Sequence, residues 1–262
     1  MLKRDFANTL ARGLAILELF SSERVALSTT EVADGVEVSR AAARRLLLTL
    51  QELGYVNSNG RVFWLTPKVL AVGRGLLAAN SVWNMAAGEV VKLADTFNEP
   101  CSISILDGLD IIFVCRDATR RIFTSRLVVG DRLPAHCSAS GKLLLAALRP
   151  ETVRERLDAA SPLAGPAPST LTDPGQLVEA FAEIRRRGWA TAEDEMEEGT
   201  ISIAVPLHAT NGRVVAAMSI ASHKMRQSLS ELIDTTLLGL QEAAARVDDM
   251  ISLSESRGVP VG

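Results

Sequence analysis

Apolar residues near the start of the chain recur with the period of an α-helix. Leu10, Leu14 and Leu17 lie three or four residues apart, which predicts an amphipathic helix over residues 9–20 with this stripe buried. The sequence Ser-Thr-Thr-Glu at residues 28–31 matches a capping box and predicts the start of a second, shorter helix. Two helices separated by a short segment therefore open the chain.

A third helix is predicted over residues 39–53, because its leucines occupy one face and its arginines occupy the opposite face. Arginine can donate two hydrogen bonds to guanine or bind phosphate, and small residues let a helix enter the major groove of DNA. The residues that we assign to this exposed, DNA-binding face are Ser39, Arg40, Ala41, Arg44, Arg45 and Thr49. A solvated basic face would give the same pattern, so this helix alone leaves both interpretations open.

A β-hairpin is predicted directly after the third helix. Two short runs of β-branched and aromatic residues flank Asn59-Gly60, a dipeptide typical of a type I′ turn with positive φ at both residues. Helix, helix, basic helix and hairpin together predict a winged helix-turn-helix domain over residues 1–67, mainly α-helical with a β-hairpin wing. Asn57 and Arg61 would contact DNA from the wing.

The rest of the chain predicts a linker helix and a second, larger domain. Residues 68–80 have helical apolar spacing but contain Gly73 and Gly75, so the linker either bends at these glycines or packs closely against a neighbouring helix. Residues 81–254 predict an α+β domain with an antiparallel sheet, because strand-like runs with turn signals alternate with capped helices. Its predicted strands are 102–106, 111–115, 122–129, 201–207 and 214–221, and its predicted helices are 83–97, 138–148, 173–187 and 228–253. Residues 255–262 are predicted to form a flexible tail.

Composition and charge restrict the class of protein. The 262 residues are 47% hydrophobic and 23% charged, which excludes a disordered chain and a collagen-like repeat. Residues 1–68 contain nine Lys and Arg against seven Asp and Glu, whereas residues 69–262 contain nineteen against twenty-four. A basic N-terminal part on an acidic remainder indicates that only the N-terminal domain meets a polyanion. Without an apolar run of about 18 residues or a signal peptide, we expect a cytoplasmic protein that does not contact a membrane.

The sequence lacks clear catalytic and metal-binding motifs. Gly141-Lys142 has neither the preceding glycine nor the following Ser or Thr of a phosphate-binding loop. The three cysteines lack metal-binding spacing, so we expect neither a metal nor a cofactor. The acidic run at residues 193–198 could bind a cation, but a solvated loop is the simpler interpretation. We expect no enzymatic activity. Two alternatives stay open: a cytosolic enzyme that uses the C-terminal domain, and a constitutive DNA-binding protein whose C-terminal domain only oligomerises.

The chain also resembles a known protein family. Residues 6–77, which include the run RAAARRLLLTLQELGYV, resemble the DNA-binding half of an IclR-family bacterial regulator. This run resembles the branch that controls protocatechuate, 4-hydroxybenzoate and β-ketoadipate catabolism, and the likeness continues through GDRLPAHCSASGKLLLAAL, ISIAVPL and VVAAMSIA. The resemblance implies a GAF-like effector-binding domain, a double-stranded DNA operator, a small organic acid as effector, and a homodimer or tetramer. One departure is Glu37, which stands where the family usually has a glycine between the second and third helices.

The effector site is expected near the predicted helix start at residues 139–141, because free backbone amides at a helix N-terminus suit a carboxylate. Two serines interrupt apolar strands, and each hydroxyl needs a partner, which is either a ligand or the sheet backbone. Together with lining residues that the resemblance implies, the predicted effector site comprises Ser125, Leu133, Ala139, Ser140, Gly141, Ser202 and Ser219. The resemblance also places the family's pocket aspartate at Ala192. Further candidates for contact with an anion are Arg120, Arg121 and Arg126.

Overall fold

The computed structural model describes residues 6–21, 24–74, 82–117 and 127–257. The chain forms two compact units, residues 1–78 and 79–262. The first unit is a winged helix-turn-helix. Its elements are α1 (Asn8–Glu18), β1 (Leu27–Ser28), α2 (Thr29–Gly35), α3 (Arg40–Glu52), β2 (Val56–Ser58), β3 (Val62–Leu65), a 3₁₀ turn (Pro67–Val69) and α4 (Leu70–Gly73). The strands pair antiparallel in the order β1-β3-β2.

Local capping signals place α2 and α3 where the sequence predicts them. The Ser28 hydroxyl accepts a hydrogen bond from the Glu31 amide, and the Glu31 carboxylate accepts one from the Ser28 amide, which confirms the capping box. The Ser39 hydroxyl accepts from the Ala42 amide and begins α3. The turn between the two helices contains Glu37 with φ of 50°, a left-handed conformation that favours glycine.

The core of this unit corrects the predicted buried face of α1. Leu10 and Leu14 are 64% and 50% exposed, so the first part of the predicted stripe is not buried, whereas Leu17 is partly buried and packs against the core. Ile16 is completely buried instead and joins residues of α2, α3 and the sheet. The reason is that only the C-terminal part of α1 reaches this core, and helical spacing alone does not show which part of a helix has a partner.

The wing turn also differs from the prediction. Gly60 has φ of 89°, but Asn59 is not among the residues with positive φ, so the turn is not of type I′. Instead, the Asn59 side-chain oxygen accepts hydrogen bonds from the amides of Arg61 and Val62, at 3.1 Å each. This asparagine therefore stabilises a longer loop with its side chain rather than with a left-handed backbone.

The second unit is an α+β fold with helices on both faces of a six-stranded antiparallel sheet. Its helices are α5 (Val82–Phe97), α6 (Ala139–Ala146), α7 (Pro150–Ala159), α8 (Pro174–Arg187) and α9 (Leu229–Ser256). Its strands are β4 (Cys101–Asp107), β5 (Asp110–Asp117), β6 (Arg132–Pro134), β7 (Ala190–Glu193), β8 (Thr200–His208) and β9 (Val214–His223), in the order β6-β5-β4-β9-β8-β7. Two apolar clusters fill the unit, one under α5 and α9 and the other under α6, α7 and α8.

Several predicted boundaries in this part of the chain need correction. Residues 127–129 are not a strand, and the edge strand is β6 a few residues later; residues 122–126 of the predicted strand lie outside the described residues. Strand β7 and helix α7 were not predicted. The tail does not begin at residue 255, because α9 continues to Ser256 and the Glu255 carboxylate accepts hydrogen bonds from the amide and hydroxyl of Thr210.

The predicted linker helix is described only in part. The 3₁₀ turn at residues 67–69 leads into α4, which contains Gly73, whereas Gly75 and the residues up to 81 lie outside the described part of the chain. Among the described helices, none combines the length and apolar character needed to cross a membrane.

Candidate functional site

The exposed face of α3 carries the basic residues that the sequence assigns to it. All six predicted residues of this helix and its cap are exposed: Ser39, Arg40, Ala41, Arg44, Arg45 and Thr49. Within the described ranges, the three arginine side chains form no hydrogen bond or ion pair. Thr49 differs from the arginines, because its hydroxyl already donates a hydrogen bond to the Arg45 carbonyl oxygen at 2.9 Å. Its methyl group is the main part that is left for an outside partner.

Sequence reasoning missed an apolar residue on the same surface. Leu48 is 44% exposed and lies one helical turn after Arg44 and Arg45. These three residues line a shallow groove on α3 together with Ala41, Thr49, Glu52 and Leu53. The groove therefore combines guanidinium groups with an apolar side chain, a combination that can contact both guanine edges and thymine methyl groups.

The wing places its two predicted residues on the surface. Asn57 and Arg61 are both exposed, on either side of the loop at the tip of the hairpin. The Asn57 side-chain oxygen accepts from the Ser58 amide at 2.8 Å, so its amide nitrogen is the group that remains for an outside acceptor. Arg61 forms no side-chain ion pair within the described ranges.

The C-terminal unit contains a cavity of about 350 Å³ between the sheet and the N-terminal end of α6. Five of the predicted effector residues line it: Leu133, Ala139, Ser140, Ser202 and Ser219. Ser125 and the arginines at 120, 121 and 126 lie outside the described residues. Apolar side chains from β5 and the neighbouring loops, including Ile111, Phe113 and Leu127, complete much of the wall. The volume suits a single small molecule.

Within the described sheet, the side-chain hydroxyls of Ser202 and Ser219 do not form the hydrogen bonds to the sheet backbone that were one expectation for them. The Ser219 hydroxyl pairs with the hydroxyl of Ser102 on β4 at 3.1 Å, and both residues are buried. Ser202 on β8 forms no side-chain hydrogen bond in the part of the chain that the structure describes. One of the two hydroxyl hydrogens is used between the serines. The pair can therefore still donate its other hydrogen to one ligand atom and accept a hydrogen bond from another.

The start of α6 corrects one predicted residue. The Ser138 hydroxyl accepts from the Gly141 amide at 3.0 Å, so this amide is already used in capping the helix. A Cβ atom at Gly141 would lie 2.2 Å from the Ala135 carbonyl oxygen, which shows that this glycine permits close backbone packing. The amides of Ala139 and Ser140 have no acceptor among the described residues, and they are the ones available to a ligand.

Most charged groups of the cavity wall are paired. The Glu99 carboxylate accepts from Arg226 Nε at 2.8 Å, and Glu195 forms a buried ion pair with Lys142. The solvated-loop interpretation of the acidic run is therefore wrong for Glu195. In the same run, Glu193 and Asp194 pair with Lys224, which lowers the pKa of the Asp194 carboxyl mainly through the lysine's hydrogen bond.

Arg116 on β5 is a cavity residue that sequence reasoning missed. Its Nε donates to the Leu127 carbonyl at 3.0 Å, and its guanidinium lies 5.1 Å from the centre of the Phe113 ring. Burial lowers the pKa of this guanidinium, although arginine stays charged at neutral pH. The signal in the sequence was the charged pair Arg116-Asp117 at the end of the apolar run IIFVC.

The residues next to the cavity do not form a catalytic dyad. Burial, followed by the nearby Glu195 carboxylate, raises the pKa of the Cys137 thiol to about 12, so it is protonated and a poor nucleophile at neutral pH. The His136 ring contacts the Ala164 carbonyl through Nε2 at 2.7 Å. Among the described residues, no group of His, Cys, Asp and Glu has the arrangement of a metal site.

Comparison with known sequence families decides the identity of the chain. Residues 75–249 match the family described as the bacterial transcriptional regulator IclR C-terminal domain, and residues 9–60 match the IclR helix-turn-helix domain. The chain belongs to the IclR family. As an IclR-family protein, it is a DNA-binding transcriptional regulator.

Individual IclR-family relatives cover nearly the whole chain. The chain is 37% identical over 243 residues to the Pca regulon regulatory protein of Pseudomonas putida, covering 92% of this chain and 83% of that protein. It is 32% identical to the p-hydroxybenzoate hydroxylase transcriptional activator of Acinetobacter baylyi, covering 94% and 93%. A solved IclR homologue from Microbacterium hydrocarbonoxydans, complexed with 4-hydroxybenzoate, is 26% identical, with a TM-score of 0.76 and coverage of 93% of this chain and 99% of that one.

Ala192 is a further residue of the cavity wall. It lines the cavity at the position to which the family resemblance assigns an aspartate, and it packs against Ala139 and Ala204. This part of the wall therefore presents a methyl group and no charge.

Proposed function

We propose that this IclR-family regulator binds its operator through the exposed face of α3 and the wing, and that an aromatic carboxylic acid in the cavity modulates this binding. We also propose that it acts as a homodimer or a dimer of dimers, because paired winged helices read half-sites. The observation that carries the effector proposal is the largely apolar cavity at the free amides of α6. The 4-hydroxybenzoate bound by the homologous structure and the names of the two relatives support an aromatic acid.

Alanine substitution of Arg44 and Arg45 tests the DNA surface. Each substitution should weaken operator binding by about 1 to 3 kcal/mol if the side chain contacts guanine, with relaxed specificity at one base pair. A phosphate contact should instead weaken all sequences alike and reduce the salt dependence by about one unit. Fluorescence anisotropy with operator and scrambled DNA separates the two cases. Arg12→Ala, an exposed arginine on α1, is the matched control. Unchanged affinity of both α3 variants would refute the assignment of this face.

A serine-to-phenylalanine substitution tests the cavity. Ser140 is buried in the cavity wall, so Ser140→Phe should fill the site and abolish binding of 4-hydroxybenzoate, whereas Ser169→Phe on an exposed loop should leave it intact. Thermal shift is the readout, since ligand at 100 times its dissociation constant adds about 2.7 kcal/mol of stability. Equal shifts in both variants would place the acid elsewhere.

The two alternative functions predict different results in the same assays. A constitutive DNA-binding protein would show no change in operator affinity with any of the acids that bind it. An enzyme would convert the acid during incubation, which chromatography of the recovered ligand detects. We expect the acid to be recovered unchanged and the operator affinity to change.

A further inference from the structure

We infer that Arg116 binds the carboxylate of the cavity's ligand and sets its preference for an acid over an uncharged analogue. The inference rests on the proposed function and adds to it a specific anchor, which the helix start at α6 does not identify. It depends on three observations: the position of Arg116 in the cavity wall, the unused donors of its guanidinium, and the pairing of the surrounding charges.

The guanidinium of Arg116 is held in place but not used up. One of its five N–H donors is bonded to the Leu127 carbonyl, and its central carbon lies over the Phe113 ring, 5.1 Å from the ring centre. In the described part of the chain, its two terminal nitrogens have no acceptor. These contacts fix the orientation of the group, while the edge that matches a carboxylate with two parallel hydrogen bonds remains available.

Arg116 has no ion-pair partner among the described residues. Of the residues that the structure describes, the other lysines and arginines near the cavity are paired with carboxylates: Arg226 with Glu99, Lys142 with Glu195, and Lys224 with Glu193 and Asp194. Residues 118–126 have the sequence ATRRIFTSR, which contains no Asp or Glu. Asp131 favours the charged form of Arg116 from a distance, and its own carboxylate accepts from the Val128 amide.

A half-buried cation beside an apolar cavity is stabilised best by an anion that enters the cavity. Phe113 lines the cavity next to this guanidinium, so an aromatic ring attached to the carboxylate would meet an apolar surface. The Ser102–Ser219 hydroxyl pair on the neighbouring strands offers a separate polar contact for a ring substituent. An aromatic monocarboxylate fulfils these requirements with one charged contact.

The test compares acids with their amides on the full-length protein. Calorimetry measures binding of benzoate, 4-hydroxybenzoate and 3,4-dihydroxybenzoate, each beside its carboxamide, to the wild type and to Arg116→Gln, Arg116→Lys and Arg185→Gln. Arg185 is the matched control, because it also donates to a backbone carbonyl but lies outside the cavity. Arg116→Gln should weaken binding of the acids about 10- to 100-fold and binding of the amides less than about threefold. Arg116→Lys should recover part of the acid preference, and Arg185→Gln should leave it unchanged.

The possible results separate this inference from the proposed function. If the acids bind the wild type and Ser140→Phe abolishes binding, but Arg116→Gln keeps the wild-type ratio of acid to amide, Arg116 is not the anchor and the cavity assignment stands. Equal weakening of acid and amide would show that Arg116 only supports the cavity wall, which also overturns the inference. If none of the acids binds the wild type, the proposed effector class itself is wrong.

Discussion

Replacing Gly141 by alanine separates two roles for the start of α6, ligand binding and backbone packing. A Cβ atom there would lie 2.2 Å from the Ala135 carbonyl oxygen and 2.3 Å from the Ala135 Cα. Favourable contacts between such atoms begin at about 3.5 Å, so helix and turn would have to separate by about 1 Å. Ala135, Cys137 and Ala139 are all buried, so that movement would disturb their packing or push the start of α6 towards the cavity that Cys137 and Ala139 line.

The expected cost follows from two opposing effects. Overpacking of a filled core costs about 1 to 3 kcal/mol or more, and the better helix propensity of alanine offsets at most about 1 kcal/mol. A contact as short as 2.2 Å places the cost at the upper end of this range, so the net loss is about 2 to 3 kcal/mol. For a unit of this size, each kcal/mol shifts the melting temperature by about 2 to 4 °C, so Gly141→Ala should melt about 4 to 12 °C below the wild type. Gly88→Ala on α5 is the matched control, since a Cβ atom there has no neighbour within 4 Å. It should melt at or slightly above the wild-type temperature.

Calorimetric melting of the full-length chain measures both variants. An unchanged melting temperature for Gly141→Ala would refute the packing argument, because the substitution keeps the backbone amide and removes only the close approach. If Gly141→Ala were as stable as the wild type but lost the acid, the glycine would serve the ligand, as its position at a predicted helix start suggests.

Two further predictions concern the DNA-binding unit and the linker. Glu37→Gly should stabilise the N-terminal unit by about 0.5 to 1 kcal/mol in chemical denaturation, because Glu37 has φ of 50° and a left-handed residue other than glycine costs about 1 to 2 kcal/mol, partly offset by the entropy of glycine. Glu52→Gly is the control, because a glycine within α3 should lower the free energy of unfolding. If Glu37→Gly also lowered the free energy of unfolding, the backbone of Glu37 would not be strained. Gly73→Ala should stiffen α4 by up to about 1 kcal/mol and reduce the effect of the acid on operator affinity more than the affinity itself. A Cβ atom at Gly73 meets nothing within 4 Å, which disfavours a packing role within this chain. Anisotropy titrations of operator DNA with and without the acid check this prediction. If the acid changed operator affinity as much as in the wild type, bending at Gly73 would play no part in the response.

The DNA-binding unit was predictable because its signals are local. The Ser28 capping box and the Ser39 cap fix two helix starts within four residues of sequence. The failure at α1 has a tertiary cause, since Leu10, Leu14 and Ile16 are all apolar and only contact with α2 and α3 decides which is buried. The predicted type I′ turn at Asn59-Gly60 was wrong, because the asparagine side chain stabilises a longer loop, which the Asn-Gly dipeptide alone does not indicate.

The cavity was less predictable, because its residues meet only through the sheet. The short edge strands β6 and β7 have little alternation to detect, and they bring Leu133 and Ala192 to the wall. The roles of Gly141 and Glu195 depend on Ala135 and Lys142, and no spacing rule joins these residues. Arg116 was missed because charged residues at a strand end, here Arg116 and Asp117, are usually exposed.

The charges around the cavity explain why an acid can bind next to so acidic a segment. The run at residues 193–198 contains five carboxylates, which would repel an anion if they all faced it. Three of them are paired with lysines, and the other two, Glu197 and Glu198, are exposed, where water screens their charge. Ala192 adds no further negative charge where the family resemblance places an aspartate.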